Sequence, residues 1–470
     1  MFETFFINTY VPPIWRHATV RPIFKSGNPS DVQNYRPISL TCTCCKLMES
    51  IISDQLSDYL SRNGLISKEQ HGFLVKRSTG TQLLECFQDW FLEIHNKNAI
   101  DIVYIDYSRA FDSLVHSKLL IKLSSYGISH ELFSWIKCYL QGRTQSVSID
   151  GHVSTPLDVI SGVVQGSNLG PLLFILFIND IVDIISGPSK CKLFADDLKL
   201  NSSVVLESDA DALQVVLNNV VTWSRVWQLS INSKKSCMMH AGRHNPNYAY
   251  FLDFDYITPN NLVRDLGITY DSNFCFKNFI NSAVSRAFQR INLIFRAFCS
   301  RNLVLMTRVY TTYVRPILEY CSYIWSPYTL YEIDAIERVQ SYFTRRLLPS
   351  IHPYNSRLAK LKIDSLEERR IKIDLCIYFK ILNNMINLDT INFFKIAPDS
   401  CVTRGHKFKL LKIGKCNNDK ELYAFHNRQI DCWNSLPSLV VESPSFSSFK
   451  SRLKKVDLSR HCSGRVLVSM

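Results

Sequence analysis

The spacing of apolar and polar positions along the chain changes at about residue 272. Before that point, residues 18–25 alternate as a strand does, and residues 102–105 form a β-branched and aromatic run that predicts a buried strand. Residues 45–60 and 210–229 carry apolar side chains at intervals of three and four, which predicts helices. The first part of the chain is therefore expected to mix strands with helices, and residues 45–60 are the one helical segment predicted within the first 100 residues.

Helical spacing dominates after residue 272. Residues 279–298, 303–325 and 333–348 predict three consecutive helices, and residues 366–382 predict a further one in a mixed carboxyl-terminal part. The pattern predicts an α+β class, with a strand-containing first part followed by a helical part.

Length and composition support a folded chain with several domains. The 470 residues are 46% hydrophobic and 20% charged, which allows two to four domains with a sizeable core and excludes a mainly disordered chain. The most apolar stretch, residues 172–185, is interrupted by Asn179, Asp180 and Asp183, so no membrane span is expected. Without a recognisable signal peptide, the 15 cysteines are expected to stay reduced inside the cell.

The net charge of +13 is unevenly distributed. Residues 1–270 hold 23 Lys and Arg against 25 Asp and Glu, whereas residues 271–470 hold 31 against 16. A basic part beside a neutral part indicates that one part binds a polyanion while chemistry takes place in the other. The alternative is a basic, solvated surface with no partner, and charge alone does not separate the two.

Two acidic segments carry the candidate chemistry. Asp106 ends the predicted strand 102–105, and Asp196 and Asp197 lie where residues 190–200 predict two short strands meeting at a turn. Carboxylates at strand ends suit Mg²⁺, which accepts one or two of them together with substrate phosphates, and a pair of such ions assists phosphoryl transfer. Two adjacent aspartates alone are more often a solvated turn. Both segments together, each ending an apolar strand, predict a metal-dependent site.

The chain resembles the reverse transcriptases of non-LTR (LINE-type) retrotransposons, most like those of the Jockey group. The motifs that carry the resemblance follow one another in the family's order: residues 15–25, residues 34–40, Gln70-His-Gly-Phe73, residues 106–112, Gln165-Gly-Ser, Phe194-Ala-Asp-Asp197, residues 232–236, residues 263–268, residues 314–320 and residues 433–437. The resemblance implies a right-hand polymerase. Fingers and palm would occupy residues 1–272, with the acids on an antiparallel palm sheet. A helical thumb would occupy residues 273–349 and a mixed, basic carboxyl-terminal region residues 350–470.

The resemblance also implies a catalytic triad and its metal ions. Asp106, Asp196 and Asp197 would form the acidic triad. Asp106 and Asp196, together with the backbone carbonyl of Tyr107, would bind two Mg²⁺ ions, with Mn²⁺ as an alternative.

A second set of residues is implied to bind the incoming nucleotide: Lys25, Arg36, Phe111, Gln165, Gly166 and Lys235. Lys25 and Arg36 would hold the triphosphate. Phe111 would exclude ribonucleotides by clashing with a 2′-hydroxyl group. Gln165 and Gly166 would line the nucleotide and template pocket, while Lys235 would contact triphosphate or protonate pyrophosphate.

The implied activity is RNA-directed DNA polymerisation by two-metal phosphoryl transfer. The implied partners are an RNA template, a DNA primer or target, dNTPs and the element RNA in a ribonucleoprotein, with access to cytoplasm and nucleus. An endonuclease segment and an amino-terminal extension, which complete elements carry, are not expected in this sequence. The alternative function is therefore a truncated, catalytically silent remnant that only binds nucleic acid. A group II intron maturase or a telomerase subunit fits the motifs at residues 15–40 and 433–437 less well.

Overall fold

The structure is a computed structural model that describes residues 2–128, 130–398, 405–412 and 419–463. Strands and helices are mixed before residue 272, and helices predominate after it, so the predicted α+β class is confirmed. The helices are α1 (Phe2–Ile7), α2 (Pro13–Arg16), α3 (Thr43–Arg62), α4 (Thr79–His95), α5 (Ala110–Ser113), α6 (His116–Ser125), α7 (His130–Leu140), α8 (Gly170–Ile178), α9 (Glu207–Trp227), α10 (Lys277–Ala297), α11 (Leu303–Tyr313), α12 (Arg315–Glu319), α13 (Ser322–Trp325), α14 (Leu330–Leu347), α15 (Tyr354–Leu361), α16 (Leu366–Leu382), α17 (Thr390–Phe393), α18 (Asp419–Leu422), α19 (Phe425–Arg428), α20 (Ile430–Ser435), α21 (Ser438–Val441) and α22 (Phe446–Leu453).

The strands are β1 (His17–Phe24), β2 (Tyr35–Leu40), β3 (Ile100–Ile105), β4 (Arg143–Ile149), β5 (His152–Val153), β6 (Leu157–Val159), β7 (Lys190–Phe194), β8 (Asp197–Ser203), β9 (Cys237–Ala241), β10 (Phe251–Leu252), β11 (Asp255–Tyr256), β12 (Thr258–Pro259), β13 (Leu262–Asp265), β14 (Ile268–Asp271), β15 (Lys395–Ile396) and β16 (Leu410–Leu411). The chain forms two compact units. Unit 1 contains residues 2–78, 100–240 and 245–260, and unit 2 contains residues 79–99, 241–244 and the described residues after 260. The domain boundaries expected at residues 272 and 349 stay a prediction.

Unit 1 is built on two sheets. The first joins β2, β1, β4 and β5 in that order, with β6 paired to β4, and the second, the central sheet, has the order β12-β9-β3-β8-β7. In the central sheet β3 and β7 both pair antiparallel with β8. Five of the six β3 residues are buried because the strand has packed side chains on both faces.

The core of unit 1 explains why β3 ends at an aspartate. Helix α8 is apolar on all sides, and residues 172–178 are buried throughout. Together with β3 and α9 it contributes to one continuous cluster of buried apolar side chains. Asp106, the first residue after β3, is half-buried, at the point where the strand leaves this core.

Unit 2 is mainly helical. Helix α4 brings Trp90 onto Phe274, with the two rings stacked at a centroid distance of 5.4 Å and an interplanar angle of 11°. Arg428 donates two hydrogen bonds to Asp374 of α16, at 2.8 Å and 2.9 Å, which fastens the segment after residue 419 onto that helix. Within the described residues, no helix is long and apolar enough to cross a bilayer.

Two sequence predictions of helices are wrong. The single helix expected over residues 303–325 is three helices, α11, α12 and α13, because Pro316 lacks an amide hydrogen and Cys321 has φ +48°. Helix α4 is absent from the prediction. Its buried face includes small and polar residues such as Gly80, Gln82 and Gln88, which obscure the apolar periodicity.

Candidate active site

The strand register places the predicted acids at one end of the central sheet. Ile105 of β3 pairs with Leu198 of β8, and Phe194 pairs with Asp197, which leaves Ala195 and Asp196 as a two-residue hairpin turn. Continuing the β3–β8 register sets Asp106 opposite Asp197 and Tyr107 opposite Asp196. The predicted meeting of two short strands at the acid pair is thus what the structure has.

Burial and mutual repulsion shape the electrostatics of this end of the sheet. Burial raises the pKa of Asp106, and Lys235 and Lys25 partly offset the rise. Burial likewise raises the pKa of Asp196, where the carboxylate of Asp106 adds to the effect. The two carboxylates therefore lie close enough to oppose each other's ionisation. Asp197, the first residue of β8, is exposed to solvent.

Three basic side chains from separate elements act on the acid pair. Lys25, which follows β1, lowers the pKa of both aspartates, and Arg36 of β2 lowers the pKa of Asp196. The hairpin register explains their proximity, since Ile23 pairs with Arg36 and the Lys25 amide donates to the Asn34 carbonyl at 2.8 Å.

Lys235 reaches Asp106 through the loop at residues 232–236. The Asn232 amide donates to the Asp106 carbonyl at 2.7 Å, and the Asp106 amide donates to Ser236 Oγ at 3.1 Å. These bonds hold the loop that bears Lys235 against the end of β3. The structure therefore brings Lys25, Arg36 and Lys235 together around the acids.

The Tyr107 carbonyl points away from that loop. Tyr107 and Ile231 form an antiparallel bridge whose hydrogen bonds run between their neighbours, so the N–H and C=O of Tyr107 face the β8 side. Its oxygen is thus directed to the side of β3 on which Asp196 lies. The phenol is buried and gains no partner among the described residues.

The donor set fits a hard divalent cation. Two carboxylates with raised pKa and a backbone carbonyl are oxygen ligands of the kind that Mg²⁺ takes with substrate phosphates. Over the described residues no cluster of three His, Cys, Asp or Glu side chains is gathered, so a cation would need oxygens from the backbone and the substrate as well.

Phe111 is held in an aromatic stack. Its ring lies on Phe174 of α8 at a centroid distance of 4.3 Å and an angle of 19°, and Phe73 meets it edge-on at 6.3 Å. The Phe111 carbonyl accepts from the Val163 amide at 2.8 Å. Phe111 is half-buried, five residues after Asp106, and two other aromatic rings pack against it.

Gln165 and Gly166 belong to a loop pressed against two other elements. Gln165 Nε2 donates to Asp112 Oδ1 at 2.7 Å, and the Ser39 amide of β2 donates to the Gln165 carbonyl at 2.8 Å. Gly166 has φ +114°, and a Cβ there would lie 2.8 Å from the Ser39 carbonyl oxygen. Gln165 and Asp112 line a cavity of about 940 Å³, whereas Gly166 lies outside its lining.

The segment from Gln70 to Phe73 is a motif to which the sequence assigned no role. In the structure Gln70 and Gly72 contact the turn at Ala195, and Phe73 touches Phe111. The place of this segment among the ordered motifs is the signal that pointed to it, but no pattern in the sequence links it to the turn.

Comparisons with known proteins agree with the motifs. The sequence model of the family described as "Reverse transcriptase (RNA-dependent DNA polymerase)" matches residues 23–270. The probable RNA-directed DNA polymerase from transposon X-element of Drosophila melanogaster is 28% identical over 346 residues, covering 72% of this chain and 38% of that protein. The RNA-directed DNA polymerase from mobile element jockey of the same species is 27% identical over 351 residues, covering 72% and 38%.

A structure of apo telomerase from Candida tropicalis aligns with a TM-score of 0.45 at 12% identity, covering 79% of this chain and 63% of that one. The matched part of this chain spans 38% of the length of the X-element and jockey proteins. Because the family match covers more than half of the 470 residues and includes both acidic segments, the chain belongs to the reverse transcriptase family, as the motifs resembling the Jockey group predicted.

Proposed function

We propose that this chain is an RNA-directed DNA polymerase of a non-LTR retrotransposon, extending a DNA primer on an RNA template. The observation that carries the proposal is the pair Asp106 and Asp196. Asp106 follows the end of β3 and Asp196 lies in the turn between β7 and β8, close enough that the charge of Asp106 raises the pKa of Asp196. Lys25 and Lys235 lower the pKa of Asp106, and Lys25 and Arg36 lower that of Asp196. In the reaction the primer 3′-hydroxyl oxygen bonds to the α-phosphorus of a dNTP, and pyrophosphate leaves.

The role that we propose for each residue follows from its chemistry. Asp106, Asp196 and the Tyr107 carbonyl would hold two divalent ions, for which we propose Mg²⁺ or Mn²⁺, and Asp197 would complete the acidic set. When bound, such ions stabilise the attacking and leaving oxygens of an in-line displacement.

The nucleotide would be bound by the basic side chains and the aromatic stack. Lys25 supplies a point charge and Arg36 a forked guanidinium for the triphosphate. Lys235 would contact triphosphate or protonate the leaving pyrophosphate, and Phe111 would exclude the 2′-hydroxyl group. Gln165 and Gly166 would shape the nucleotide and template pocket beside the 940 Å³ cavity that Gln165 lines.

The partners follow from the reaction. We propose an RNA template, a DNA primer or target and dNTPs as substrates, with the element RNA bound in a ribonucleoprotein. Priming on chromosomal DNA requires entry into the nucleus after synthesis in the cytoplasm, so the proposal places the chain in both compartments.

The test is primer extension by the purified chain on an RNA template with Mg²⁺ and dNTPs. Asp106→Asn and Asp196→Ala are each expected to reduce extension by about 1,000-fold or more, because metal-ion stabilisation is worth several kcal/mol at about 1.4 kcal/mol per tenfold. Asp211→Ala, at an exposed aspartate of α9, is the matched control and retains activity. Extension that survives Asp196→Ala rejects the mechanism. Template binding without extension by the unaltered chain identifies a silent, binding remnant instead.

A further inference from the structure

The segment from Glu69 to Gly72 extends the central sheet next to the turn that bears Asp196. Gln70 forms a parallel bridge with Leu193 of β7. The His71 amide donates to the Leu193 carbonyl at 2.8 Å, and the Leu193 amide donates to the Glu69 carbonyl at 2.9 Å. Since β7 is the last strand in the sheet order, this segment covers an edge that would otherwise be open.

The side chain of Gln70 continues from this edge to the turn. Its Oε1 accepts hydrogen bonds from the amide of Ala195 at 2.9 Å and from the amide of Gly72 at 2.8 Å. Both partners are N–H donors, so the orientation of the carboxamide is fixed. Gln70 is 0% exposed, and its Nε2 has no hydrogen-bond partner within the described residues. The oxygen is therefore the atom through which this buried side chain acts.

Ala195 needs such a restraint. It has φ +55°, a conformation that non-glycine residues rarely adopt, and it directly precedes Asp196. Backbone strain of this kind persists where the surrounding contacts over-determine it, and it is concentrated at active sites. The Gln70 oxygen bonds the amide of the strained residue itself.

Gly72 shows how closely the two segments approach. A Cβ added to Gly72 would lie 2.4 Å from the backbone nitrogen of Ala195 and 3.1 Å from the carbonyl carbon of Phe194. A Cβ atom essentially never lies this close to a non-bonded atom, and the obstacle is backbone, so a side chain at position 72 would push the turn away.

We infer that Gln70 is a positioning residue for the polymerase reaction: its Oε1, with Gly72 as the close-packed support, fixes the turn and with it the carboxylate of Asp196. This inference rests on the proposed function, because it assigns Asp196 a catalytic task. It adds a residue that does not touch substrate and acts only through the Ala195 amide.

The first test measures amide hydrogen exchange at Ala195 in the full chain without added metal. Gln70→Met keeps the size of the side chain and removes the acceptor, and it is expected to accelerate exchange at Ala195 while the rest of β7 and β8 stays protected. Gln70→Glu retains an oxygen and is expected to keep the protection. Gly72→Ala acts from the other side by displacing the same amide, and it is expected to accelerate exchange as well.

The second test titrates Mg²⁺ in single-nucleotide extension. Gln70→Met and Gly72→Ala are expected to raise the half-saturating Mg²⁺ concentration and lower kcat by about 10–100-fold, the range for residues that orient metal ligands, with the KM for template–primer unchanged. Gln88→Met is the matched control, because Gln88 is a buried glutamine of α4 whose Nε2 has no partner within the described residues. It should leave the Mg²⁺ requirement as it is.

The outcomes separate this inference from the proposed function. An unaltered chain that does not extend primers rejects the proposed function, while exchange at Ala195 still tests the contact. An active chain in which Gln70→Met leaves both the Ala195 protection and the Mg²⁺ requirement unchanged overturns the positioning role and leaves the polymerase assignment standing.

Discussion

At the scale of single residues, the burial of the Asp106 and Asp196 carboxyl groups carries an electrostatic cost. Each loses hydration on burial, and Asp106 also repels Asp196, so both pKa values lie above those of ordinary aspartates. Lys25, Arg36 and Lys235 offset only part of this cost. We therefore expect the charged, metal-free site to be electrostatically unfavourable.

Removing one charge should therefore stabilise the metal-free chain. The raised pKa values mean that the folded state holds protons more tightly than the unfolded state. Their stabilising contribution is present below the unfolded pKa and is lost as the pH rises through the folded pKa. At pH 8 Asp196→Asn is expected to raise the thermal unfolding midpoint, and at acid pH, where both carboxyl groups are protonated, the gain should vanish.

The thermal unfolding midpoint is also expected to respond to added Mg²⁺. The ion should raise the midpoint of the unaltered chain and have little effect on Asp196→Asn, since binding to the folded state alone stabilises it. Asp211→Asn serves as the control with unchanged behaviour. A destabilised Asp196→Asn at pH 8 would contradict the electrostatic account.

Phe111 gives a second residue-scale prediction. Its ring stacks on Phe174, and we propose that the ring occupies the space that a 2′-hydroxyl group of the incoming nucleotide would need. Phe111→Ala is expected to raise ribonucleotide incorporation relative to dNTP incorporation by about 10–100-fold, the scale on which small steric differences are discriminated. Competition between GTP and dGTP in primer extension measures this ratio, and Phe254→Ala, at a ring that is 91% exposed, is the control. An unchanged ratio would remove Phe111 from sugar selection.

At the scale of elements, two tight hairpins carry the features of interest. The turn between β7 and β8 holds Asp196, and the turn between β13 and β14 contains Leu266 and Gly267, both with positive φ. The hydroxyl of Tyr320, the residue that follows α12, donates to the Leu266 carbonyl at 2.8 Å. The motif at residues 314–320 thus supports the hairpin around residues 263–268, which we propose grips the primer, as the resemblance to the non-LTR reverse transcriptases implies.

The hydroxyl of Tyr320 also lies 3.3 Å from Thr79 Oγ1, so the shorter bond to Leu266 is expected to account for most of its effect. Tyr320→Phe is expected to lower the free energy of unfolding by about 1 kcal/mol, the usual net value of a hydrogen bond. It should also raise the KM for template–primer with little change in kcat, if the hairpin grips the primer. Urea unfolding and steady-state kinetics measure the two effects, with Tyr331→Phe at a 64% exposed tyrosine as control. A fall in kcat at constant KM would point to another role.

Sequence patterns predicted elements well where one physical cause dominates. The buried run of β3, the strands on either side of Asp196 and helix α16 at residues 366–382 follow from periodicity alone. The division of residues 303–325 depends on Pro316 and on the left-handed Cys321, whose conformation only the packed structure reveals. The Gln70–Ala195 bond joins residues 125 positions apart, and no local pattern encodes such a contact.

At the scale of the whole molecule, part of the basic excess counted in the sequence after residue 270 is found on the surface of the structure. Helix α10 has no acidic residue in its 21 positions, and Arg286, Arg290 and Arg296 are all exposed on it. The basic excess after residue 270 is thus partly exposed on α10, and we propose that these arginines contact phosphates rather than base edges.

These arginines predict the salt dependence of template–primer binding. The double substitution Arg286→Ala and Arg290→Ala is expected to weaken binding for all sequences alike. It should reduce the slope of log K against log salt by about two, one for each phosphate that an arginine no longer neutralises. Fluorescence anisotropy at several salt concentrations measures the slope. Arg62→Ala, at an exposed arginine paired with Asp58, should leave it unchanged, and an unaltered slope in the double variant would contradict the assignment.

We propose that the acid pair Asp106 and Asp196 catalyses RNA-templated DNA synthesis, and a single-turnover experiment tests this directly. In a single-turnover experiment the chain is bound to an RNA template with a DNA primer, and one dNTP and Mg²⁺ are added. Binding and extension are recorded in the same sample for the unaltered chain and for Asp106→Asn. We expect equal binding by both and extension by the unaltered chain alone. Binding without extension by the unaltered chain, or equal extension by both, would contradict the proposal.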